Sequence, residues 1–474
     1  MRRRVQRSLP CVAALLAVLA AGVGAMWGSV AAQPRATDSI EEHFKYGSIG
    51  TEVTVGLPYP LWRVLPIVFE DKLPRRPGTG YERLGFINEG GAHDRPIGTT
   101  NKGGRIGLNC ATCHAGTIRD EAASAPRIVL GMPAHQMDLQ GYARFLTAAV
   151  TDPRFNGSTL IAAIQKVDPS FSWWNRLTYR LFVIPLTRKG VNRLTAQNAW
   201  FDKRPPQGPG RVDTFNPYKR LLGFDMNADD TVGTADLPSL WNQRVRQGLW
   251  LHWDGNNDLV EERNKSAAIG AGATPESLDI ASLRRIEEWI LDLRPPEYPR
   301  QRLRTALVDR GRQAYQTACS SCHDLGSARV GQVVDIAEIK TDPERLRSFT
   351  PELAVKMNTI GEHYPWRFTH FRKTNGYANM PLDGIWLRGP YLHNGSVPTL
   401  RALLFPDQRP PVFYRGYNVY DWENGGFVST GPDAEKEGVR FDTSLKGNGN
   451  GGHLYGTDLP AADRDAIVEY MKTL

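Results

Sequence analysis

The sequence predicts a mainly α protein built from two domains of related design, each with long loop-rich insertions. The five-residue pattern Cys-x-x-Cys-His occurs twice, and Cys319 of the second copy follows Cys110 of the first by 209 residues. Amphipathic apolar spacing near both copies indicates helices. Between them, RPPEYPR at residues 294–300 is rich in proline and marks a domain boundary. We therefore expect an N-terminal domain over residues 33–293, a linker over 294–302 and a C-terminal domain over 303–474.

Residues 1–32 are predicted to be a signal peptide. Four arginines precede an apolar run, and small residues follow at Val30-Ala31-Ala32, which is the three-part pattern of an export signal. Cleavage is expected after Ala32. An uncleaved membrane anchor is the alternative, but the run is short for a span of about 20 residues. No later segment is apolar enough to cross a bilayer. We expect a periplasmic or secreted bacterial protein, with no stable membrane span after cleavage.

The charge of the chain limits its partners. The sequence has 58 Lys and Arg against 50 Asp and Glu, a formal net charge of +8. The signal carries four of the arginines and no acid, which leaves +4 on the mature chain. No Lys/Arg-rich stripe typical of nucleic-acid binding stands out, so nucleic acid is not an expected partner. A mildly basic face for an acidic redox partner agrees with this charge.

Cys-x-x-Cys-His is the attachment pattern of c-type haem. Two thiols one helical turn apart can each add to a haem vinyl group, and the adjacent histidine can reach the iron. Cys11 leaves with the signal, so the remaining cysteines all belong to the motifs: Cys110, Cys113, Cys319 and Cys322. A redox dithiol needs no histidine there, and a zinc site would leave both histidines idle. We predict two covalently bound haem c groups, with His114 and His323 as proximal iron ligands.

Helical spacing predicts helices over residues 137–150 and 278–293, and in the segment that leads into the second motif. The final stretch DLPAADRDAIVEYMKTL predicts another, with Asp458 as candidate N-cap and Pro460 in the first turn. Residues 203–236 are rich in Gly, Pro, Asn and Asp and predict loop. Within this loop, DMNADD resembles part of a calcium loop but lacks its Gly and closing Glu, which favours a polar turn.

A helix that leads into a haem motif and is crossed by a C-terminal helix is typical of a cytochrome c domain, which residues 303–474 resemble. Two further stretches resemble the bacterial dihaem cytochrome c peroxidases and MauG. TADLPSLWNQRVRQGLWLHWDGNNDL, residues 234–259, is similar to their W-D-G run. MPLDGIWLRGPYLHNGSVPTLRALL, residues 380–404, is similar to their P-Y-x-H-x-G segment. This resemblance implies two cytochrome c-type haem domains.

A closer resemblance is to the rubber oxygenase branch of that superfamily. VEERNKSAAIGAG at 260–272 and GNGNGGHLYGTDLP at 447–460 are similar to this branch. With the haem motifs, the resemblance to the dihaem peroxidase and MauG superfamily covers most of residues 105–474. This chain is shorter than the rubber oxygenases, so the resemblance does not imply their polymer substrate.

The resemblance implies roles for single residues. Trp253 matches the tryptophan between the two haems and is expected to relay electrons, with a core tryptophan as the alternative. His453 matches a late histidine of the rubber-oxygenase-like branch, so we expect it opposite His323 as the second iron ligand. Met380 is the runner-up for that position. His393 matches the P-Y-x-H histidine and is expected to bond to a haem propionate, with a structural histidine as the alternative.

The sixth position of the His114 haem decides between two functions. His135 is a possible distal residue, and His252 is a candidate distal ligand or propionate contact; an ordinary loop histidine is the alternative for His135. The peroxidases of this superfamily have a glutamate after the W-D-G tryptophan. In this sequence Ala273 stands near that position, and Glu276 lies just beyond it.

One function is a haem oxidoreductase, in which one haem transfers electrons and the other reacts with peroxide or dioxygen. The other is an electron-transfer cytochrome with two six-coordinate haems. The expected partners are a small redox protein or a quinol-linked electron partner, and for the oxidoreductase a small oxidant.

Overall fold

The computed structural model describes residues 39–91 and 93–474, so the predicted signal peptide lies outside the described residues. Helices make up most of the regular structure, which agrees with the predicted mainly α class. In these two ranges, no helix is both long enough and apolar enough to cross a membrane.

The helices fall on both sides of the proline-rich stretch. Before it, the described α-helices are α1 (Ile40–Tyr46), α2 (Tyr59–Val68), α3 (Cys110–His114), α4 (Leu139–Thr151), α5 (Gly157–Val167), α6 (Trp173–Thr178), α7 (Ile184–Gln197), α8 (Asn216–Leu221), α9 (Val260–Gly270) and α10 (Ile280–Leu291). After it come α11 (Thr305–Ala318), α12 (Ser320–His323), α13 (Ile336–Ile339), α14 (Glu344–Ser348), α15 (Pro351–Met357), α16 (Leu400–Leu404), α17 (Pro432–Glu437) and α18 (Ala461–Met471). A π-helical turn, Tyr179–Val183, joins α6 to α7.

The strands are short and pair in antiparallel fashion. They are β1 (Leu57–Pro58), β2 (Thr99–Lys102), β3 (Arg105–Leu108), β4 (Ala115–Ile118), β5 (Arg127–Leu130), β6 (Arg211–Asp213), β7 (Thr234–Asp236), β8 (Val333–Asp335), β9 (Gly376–Ala378), β10 (Val412–Arg415), β11 (Tyr420–Asp421), β12 (Gly426–Phe427) and β13 (Val439–Asp442). One sheet has the order β1-β3-β2, and two-stranded pairs join β4 to β5, β6 to β7, β8 to β9, β10 to β13 and β11 to β12. Strands β3 and β4 flank α3 directly, so the first motif lies between two strands held by partners.

The predicted crossing of two helices at the second motif is present as α11 and α18. A Cβ on Gly311 of α11 would lie 1.9 Å from the Ala466 carbonyl oxygen of α18, so the two backbones touch at this glycine. The rings of Tyr315 and Tyr470 meet edge to face, with centroids 5.1 Å apart. Residues of both helices, together with α16, form one apolar core.

The start of α18 differs from the expectation. The helix begins at Ala461, and Pro460 occupies the N-cap position instead of Asp458. The preceding residues form a turn, closed by the bond from the Leu459 amide to the Gly456 carbonyl. Because this turn contains Asp458, the helix starts after it.

The predicted loop over residues 203–236 contains β6, α8 and β7 in addition to irregular chain. Tertiary contacts explain the difference, because Tyr218 of α8 is buried against the core around the first motif. Within DMNADD, the Asp229 carboxylate binds the buried Lys219 ammonium at 2.7 Å and accepts a bond from the Thr231 amide. The chain itself uses this carboxylate, as in a polar turn.

The core around the first motif crosses the predicted domain boundary. Ala111 and Ala115 pack with Phe44 of α1 and Ile286 of α10. The same core includes Phe349, which follows the proline-rich stretch. The two predicted halves therefore pack against each other around the first motif.

Candidate functional site

The first motif is fastened to α1 by one side chain. Asn109 caps α3 by accepting a bond from the Ala111 amide at 3.0 Å. Its amide nitrogen donates to the carbonyl oxygens of Phe44 at 3.1 Å and Gly47 at 2.9 Å. A single asparagine thus holds the helix that carries the two thiols and the histidine.

Each motif contains a buried thiol that is unlike the thiolate of a redox dithiol. All four are free of disulfides. Burial raises the pKa of Cys110 to about 11 and the pKa of Cys319 to about 12. Redox cysteines instead have lowered pKa values. Cys110 and Cys319 are therefore protonated thiols at neutral pH, not thiolates.

The proximal histidines share one arrangement. Nδ1 of His114 lies 2.9 Å from the carbonyl oxygen of Pro238, and Nδ1 of His323 lies 2.8 Å from that of Met380. A carbonyl oxygen only accepts, so Nδ1 carries the proton in both rings and Nε2 is left with a lone pair. Burial also lowers the pKa of His114 to about 4. Both features suit a neutral imidazole ligand with its ring orientation fixed.

The ring of His453, the predicted second ligand, lies near that of His323. Their ring centroids are 6.2 Å apart. Two imidazoles that share one metal ion each lie about 2 Å from it through one nitrogen, which puts the ring centres on the order of 6 Å apart. Burial is the main reason why the pKa of His453 falls to about 4, so this ring is also neutral. The two ring centres therefore have the spacing of two imidazoles on one metal ion.

Met380 lies behind His323. Its carbonyl oxygen holds Nδ1 of that ring, on the side away from the Nε2 lone pair. The Met380 backbone therefore approaches His323 from the Nδ1 side, whereas a second iron ligand would lie beyond Nε2.

Trp253 and His393 occupy equivalent positions in a turn that occurs twice. Leu251 pairs with Asn257, and Tyr391 pairs with Val397, through isolated antiparallel bridges of equal span. The second residue of each turn has a positive φ, 62° in the first and 66° in the second. Trp253 and His393 are the third residues. The two predicted halves therefore repeat their backbone at the positions singled out by the resemblance.

Asp236 connects these two turns. Its carbonyl oxygen accepts from the Trp253 indole at 2.9 Å, and its amide donates to the His393 carbonyl at 2.8 Å. Its carboxylate is 4% exposed and pairs with the buried Arg415 guanidinium. Burial raises the pKa of Asp236 to about 6, although Arg415 opposes the rise. The indole of Trp253 packs in a cluster with Tyr377 and Tyr455.

His393 is buried and engaged by a tyrosine. Its Nε2 lies 3.0 Å from the Tyr377 hydroxyl, and the two rings stack with centroids 4.0 Å apart. Burial, followed by the charges of Arg345 and Arg211, holds its pKa well below the usual range. The predicted propionate bond would have to use its other ring nitrogen.

His135 and His252 both carry buried ring nitrogens without a partner among the described residues. Both nitrogens of His135 are in this state, and its ring stacks on Phe427 with centroids 3.7 Å apart. Burial lowers the pKa of His135 to about 3. In His252 the unpartnered atom is Nε2. Within residues 39–91 and 93–474, no histidine ring contacts that of His114, so neither residue is brought directly against it.

Arg263 is a charged group near the first motif that sequence reasoning missed. Burial is the largest cause that lowers the pKa of both His114 and His252, and the Arg263 charge adds to it at each ring. Arg263 therefore lies close enough to act electrostatically on both. It belongs to a stretch that the resemblance covers, but no pattern in the sequence assigned it a role.

Arg211 was also missed. It is 1% exposed, and its Nε has no partner among the described residues. Its Nη1 donates to the Gln207 carbonyl at 3.2 Å. No carboxylate of the described chain forms an ion pair with it, and burial lowers its pKa to about 9. The carboxylates of Asp236, Asp342 and Asp213 act on Arg211, but none of them lies within ion-pair distance. Its guanidinium therefore also fits a further acidic group, such as a haem propionate.

Comparison with known proteins identifies the region around His393. Residues 376–414 match a family model described as RoxA-like, cytochrome c-like. The chain is 24% identical to "Uncharacterized protein y4iJ" of Sinorhizobium fredii (strain NBRC 101917 / NGR234), over 78% of this chain and 77% of that protein. It is 31% identical to "Uncharacterized protein y4iM" of the same strain, over 44% of this chain and 52% of that protein. The match at 376–414 supports a cytochrome c of the RoxA-like branch, and such a domain implies covalently bound haem c and a role in haem-based oxidoreduction or electron transfer.

Proposed function

We propose that the protein is an exported dihaem c-type cytochrome that acts as a haem-based oxidoreductase. Cys110, Cys113 and His114 would hold one haem, and Cys319, Cys322 and His323 the other. The residues fit these groups, because each motif presents two thiols beside an imidazole whose Nδ1 is fixed by a carbonyl. When bound, the haem irons supply one-electron chemistry, and an iron with a free axial position can also bind a small oxidant.

The observation that carries the proposal is the placement of His323 opposite His453, with centroids 6.2 Å apart. His323 and His453 would together hold the iron of the second haem. Compared with thioether ligation, a second imidazole lowers the reduction potential. This placement supports an electron-transfer role for the second motif.

Trp253 is proposed to relay electrons between the two sites. Its indole nitrogen donates to the Asp236 carbonyl, which fixes the ring, and it packs among aromatic residues near His453. The repeated turn places it where the other half has His393.

The first motif is proposed to be the site that reacts with peroxide or dioxygen. The buried rings of His135 and His252 carry nitrogens without a partner among the described residues, so each offers a hydrogen-bonding atom to a small oxidant. The Arg263 guanidinium can stabilise negative charge that develops near His114. These groups would supply hydrogen bonds and electrostatic stabilisation to the reaction.

Electron paramagnetic resonance of the oxidised holoprotein tests the assignment. We expect a low-spin signal from about half of the haem, the half bound by two imidazoles. In His453→Gly this signal should become high-spin, and added imidazole should restore it. Glycine suits this position, because φ of residue 453 is +50°. The control is His363→Gly, whose side chain is 88% exposed.

Two results would contradict the proposal. If His453→Gly keeps its low-spin signal, another residue is the ligand, and Met380→Leu is the next variant. If two low-spin signals account for all the haem and cyanide binds at neither iron, even after reduction of the His323 haem, the protein is an electron-transfer cytochrome.

A further inference from the structure

The helical segment from Trp173 to Gln197 leaves much of its apolar surface outside the fold. Of its side chains, only Val183 and Ile184 are buried. Its other large apolar side chains include several that are more than half exposed, namely Trp173, Trp174, Leu181, Phe182 and Leu186. Such a concentration is unusual, because scattered single residues are the norm on protein surfaces. We call this surface the aromatic-basic face.

The same segment carries only positive charge. The chain has no Asp or Glu from residue 169 to residue 201, and within that stretch it has five cations: Arg176, Arg180, Arg188, Lys189 and Arg193. Four of them are exposed. Within residues 39–91 and 93–474, none of the five forms an ion pair. The apolar side chains are therefore surrounded by uncompensated positive charge.

A cavity of about 530 Å³ opens beside this segment, between α7 and the start of α5. Its lining includes Arg180, Arg188 and Lys189, and no acidic residue. Nε of Arg188 is buried without a partner among the described residues. A phosphate group in this cavity would therefore meet three cationic side chains.

We propose that the aromatic-basic face binds the surface of an anionic phospholipid bilayer. Trp, Phe and Leu side chains enter the boundary between headgroups and acyl chains, while Lys and Arg contact the phosphates. The segment lies in the plane of the surface, because Val183 and Ile184 keep its other side packed on the fold. The protein would thus work at a membrane surface without spanning the membrane.

Charge and side-chain chemistry favour a bilayer over two other occupants. A symmetric dimer places the same patch on both copies, so it would bring both sets of cations together. Single-stranded nucleic acid would use the cations and the Trp173–Trp174 pair, whose rings stack at 3.7 Å. It would leave the exposed leucines Leu177, Leu181 and Leu186 without a role. A bilayer uses all three kinds of side chain.

Sedimentation of the holoprotein with lipid vesicles tests the proposal. We expect binding to vesicles of phosphatidylcholine with phosphatidylglycerol, and little binding to phosphatidylcholine alone. The apolar variant Trp173→Ser/Trp174→Ser/Phe182→Ser should bind at least tenfold more weakly. So should the charge variant Arg176→Ser/Arg180→Ser/Lys189→Ser/Arg193→Ser. The control is Ile67→Ser/Val355→Ser, which removes residues that are 61% and 68% exposed elsewhere on the fold.

Several outcomes would overturn the inference. The inference is wrong if the wild-type protein does not sediment with anionic vesicles. It is also wrong if the control variant binds them as weakly as the apolar and charge variants do. Binding that depends on the cations alone would show simple charge attraction. If sedimentation velocity finds a dimer that the apolar variant dissociates, the face joins two copies. If single-stranded DNA competes fully with vesicles, the occupant is nucleic acid. An unchanged haem absorption spectrum shows that each variant is folded.

Discussion

Among single residues, His453 owes its position to an unusual backbone conformation. It has a φ of +50°, and Gly452 before it has a φ of +74°. A Cβ on Gly452 would lie 2.3 Å from the Lys340 carbonyl carbon, so only glycine fits there. The His453 amide donates to the Ile339 carbonyl at 2.8 Å. This close approach of two loops turns the imidazole towards His323.

The buried carboxyl group of Asp236 is expected to make a haem reduction potential depend on pH. Burial raises its pKa to about 6. The carboxylate is therefore charged mainly above this pH, and a negative charge near a haem favours the ferric state. We expect the reduction potential of at least one haem to fall as pH rises through about 6, as measured by a spectroscopic redox titration.

The variant Asp236→Asn should remove this pH dependence, because its side chain does not titrate. Since it also leaves the buried Arg415 without its partner, circular dichroism first checks that the variant is folded. Asp230→Asn is the matched control, since the side chain of Asp230 is 88% exposed and lies on the surface. If the reduction potential of Asp236→Asn depended on pH as strongly as that of the wild type, another group would be responsible.

Among the helices, the crossing of α11 and α18 depends on one glycine. The Cβ of any other residue at position 311 would collide with the Ala466 carbonyl and approach Cβ of Tyr470 to 2.9 Å. The glutamate Glu469 also joins the two elements, because it accepts bonds from the Arg304 amide and guanidinium at 3.0 Å. The helix pair that flanks the second motif is therefore held by close backbone contact and a buried carboxylate.

Gly311→Ala should destabilise the protein by about 1–3 kcal/mol, because overpacking forces the helices apart. Urea denaturation of the holoprotein, followed by circular dichroism, measures the free energy of unfolding. Gly190→Ala is the control within α7, where an added Cβ meets no atom within 4 Å. It should stabilise by about 0.5–1 kcal/mol through helix propensity alone. If Gly311→Ala and Gly190→Ala changed the free energy of unfolding equally, the close contact of α11 and α18 at Gly311 would be contradicted.

In the molecule as a whole, the two predicted halves are joined by buried ion pairs as well as by the shared core. Asp236 pairs with Arg415, and Asp254 pairs with Arg345 at 3.0 Å; both pairs are buried. Removing one partner of a buried pair is strongly destabilising, because it leaves a charge without compensation. The pairs fix the relative positions of the repeated turns that carry Trp253 and His393.

The whole chain is predicted to bind two haem groups through independent motifs. Cys110→Ala/Cys113→Ala and Cys319→Ala/Cys322→Ala should each lose about half of the covalent haem, because each thioether pair belongs to one group. Mass spectrometry of the purified protein, with haem quantified by its pyridine complex, provides the count. Loss of all haem in either variant would mean that the two sites do not assemble independently. If one variant lost no haem, the protein would bind a single haem, through the other motif.

The sequence by itself determined the chemistry of the motifs and the main helices. Thiol spacing and the adjacent histidine are local, so they predict haem attachment without a fold. The apolar periodicity of α4, α10 and α11 is also local, and these helices lie where it predicts them. The composition of residues 203–236 was a weaker guide, because buried contacts of Tyr218 and Lys219 create elements within a loop-like stretch.

Only the tertiary structure decided which residues meet. His323 and His453 are 130 positions apart in the chain and face each other because two loops close on one another. Arg211 and Arg263 carry no motif, and their burial became visible only after folding. The exposed apolar residues of α6 and α7 have the spacing of an ordinary amphipathic helix, and sequence cannot tell which face is covered. Contacts between distant residues depend on the path of the whole chain, which no local pattern encodes.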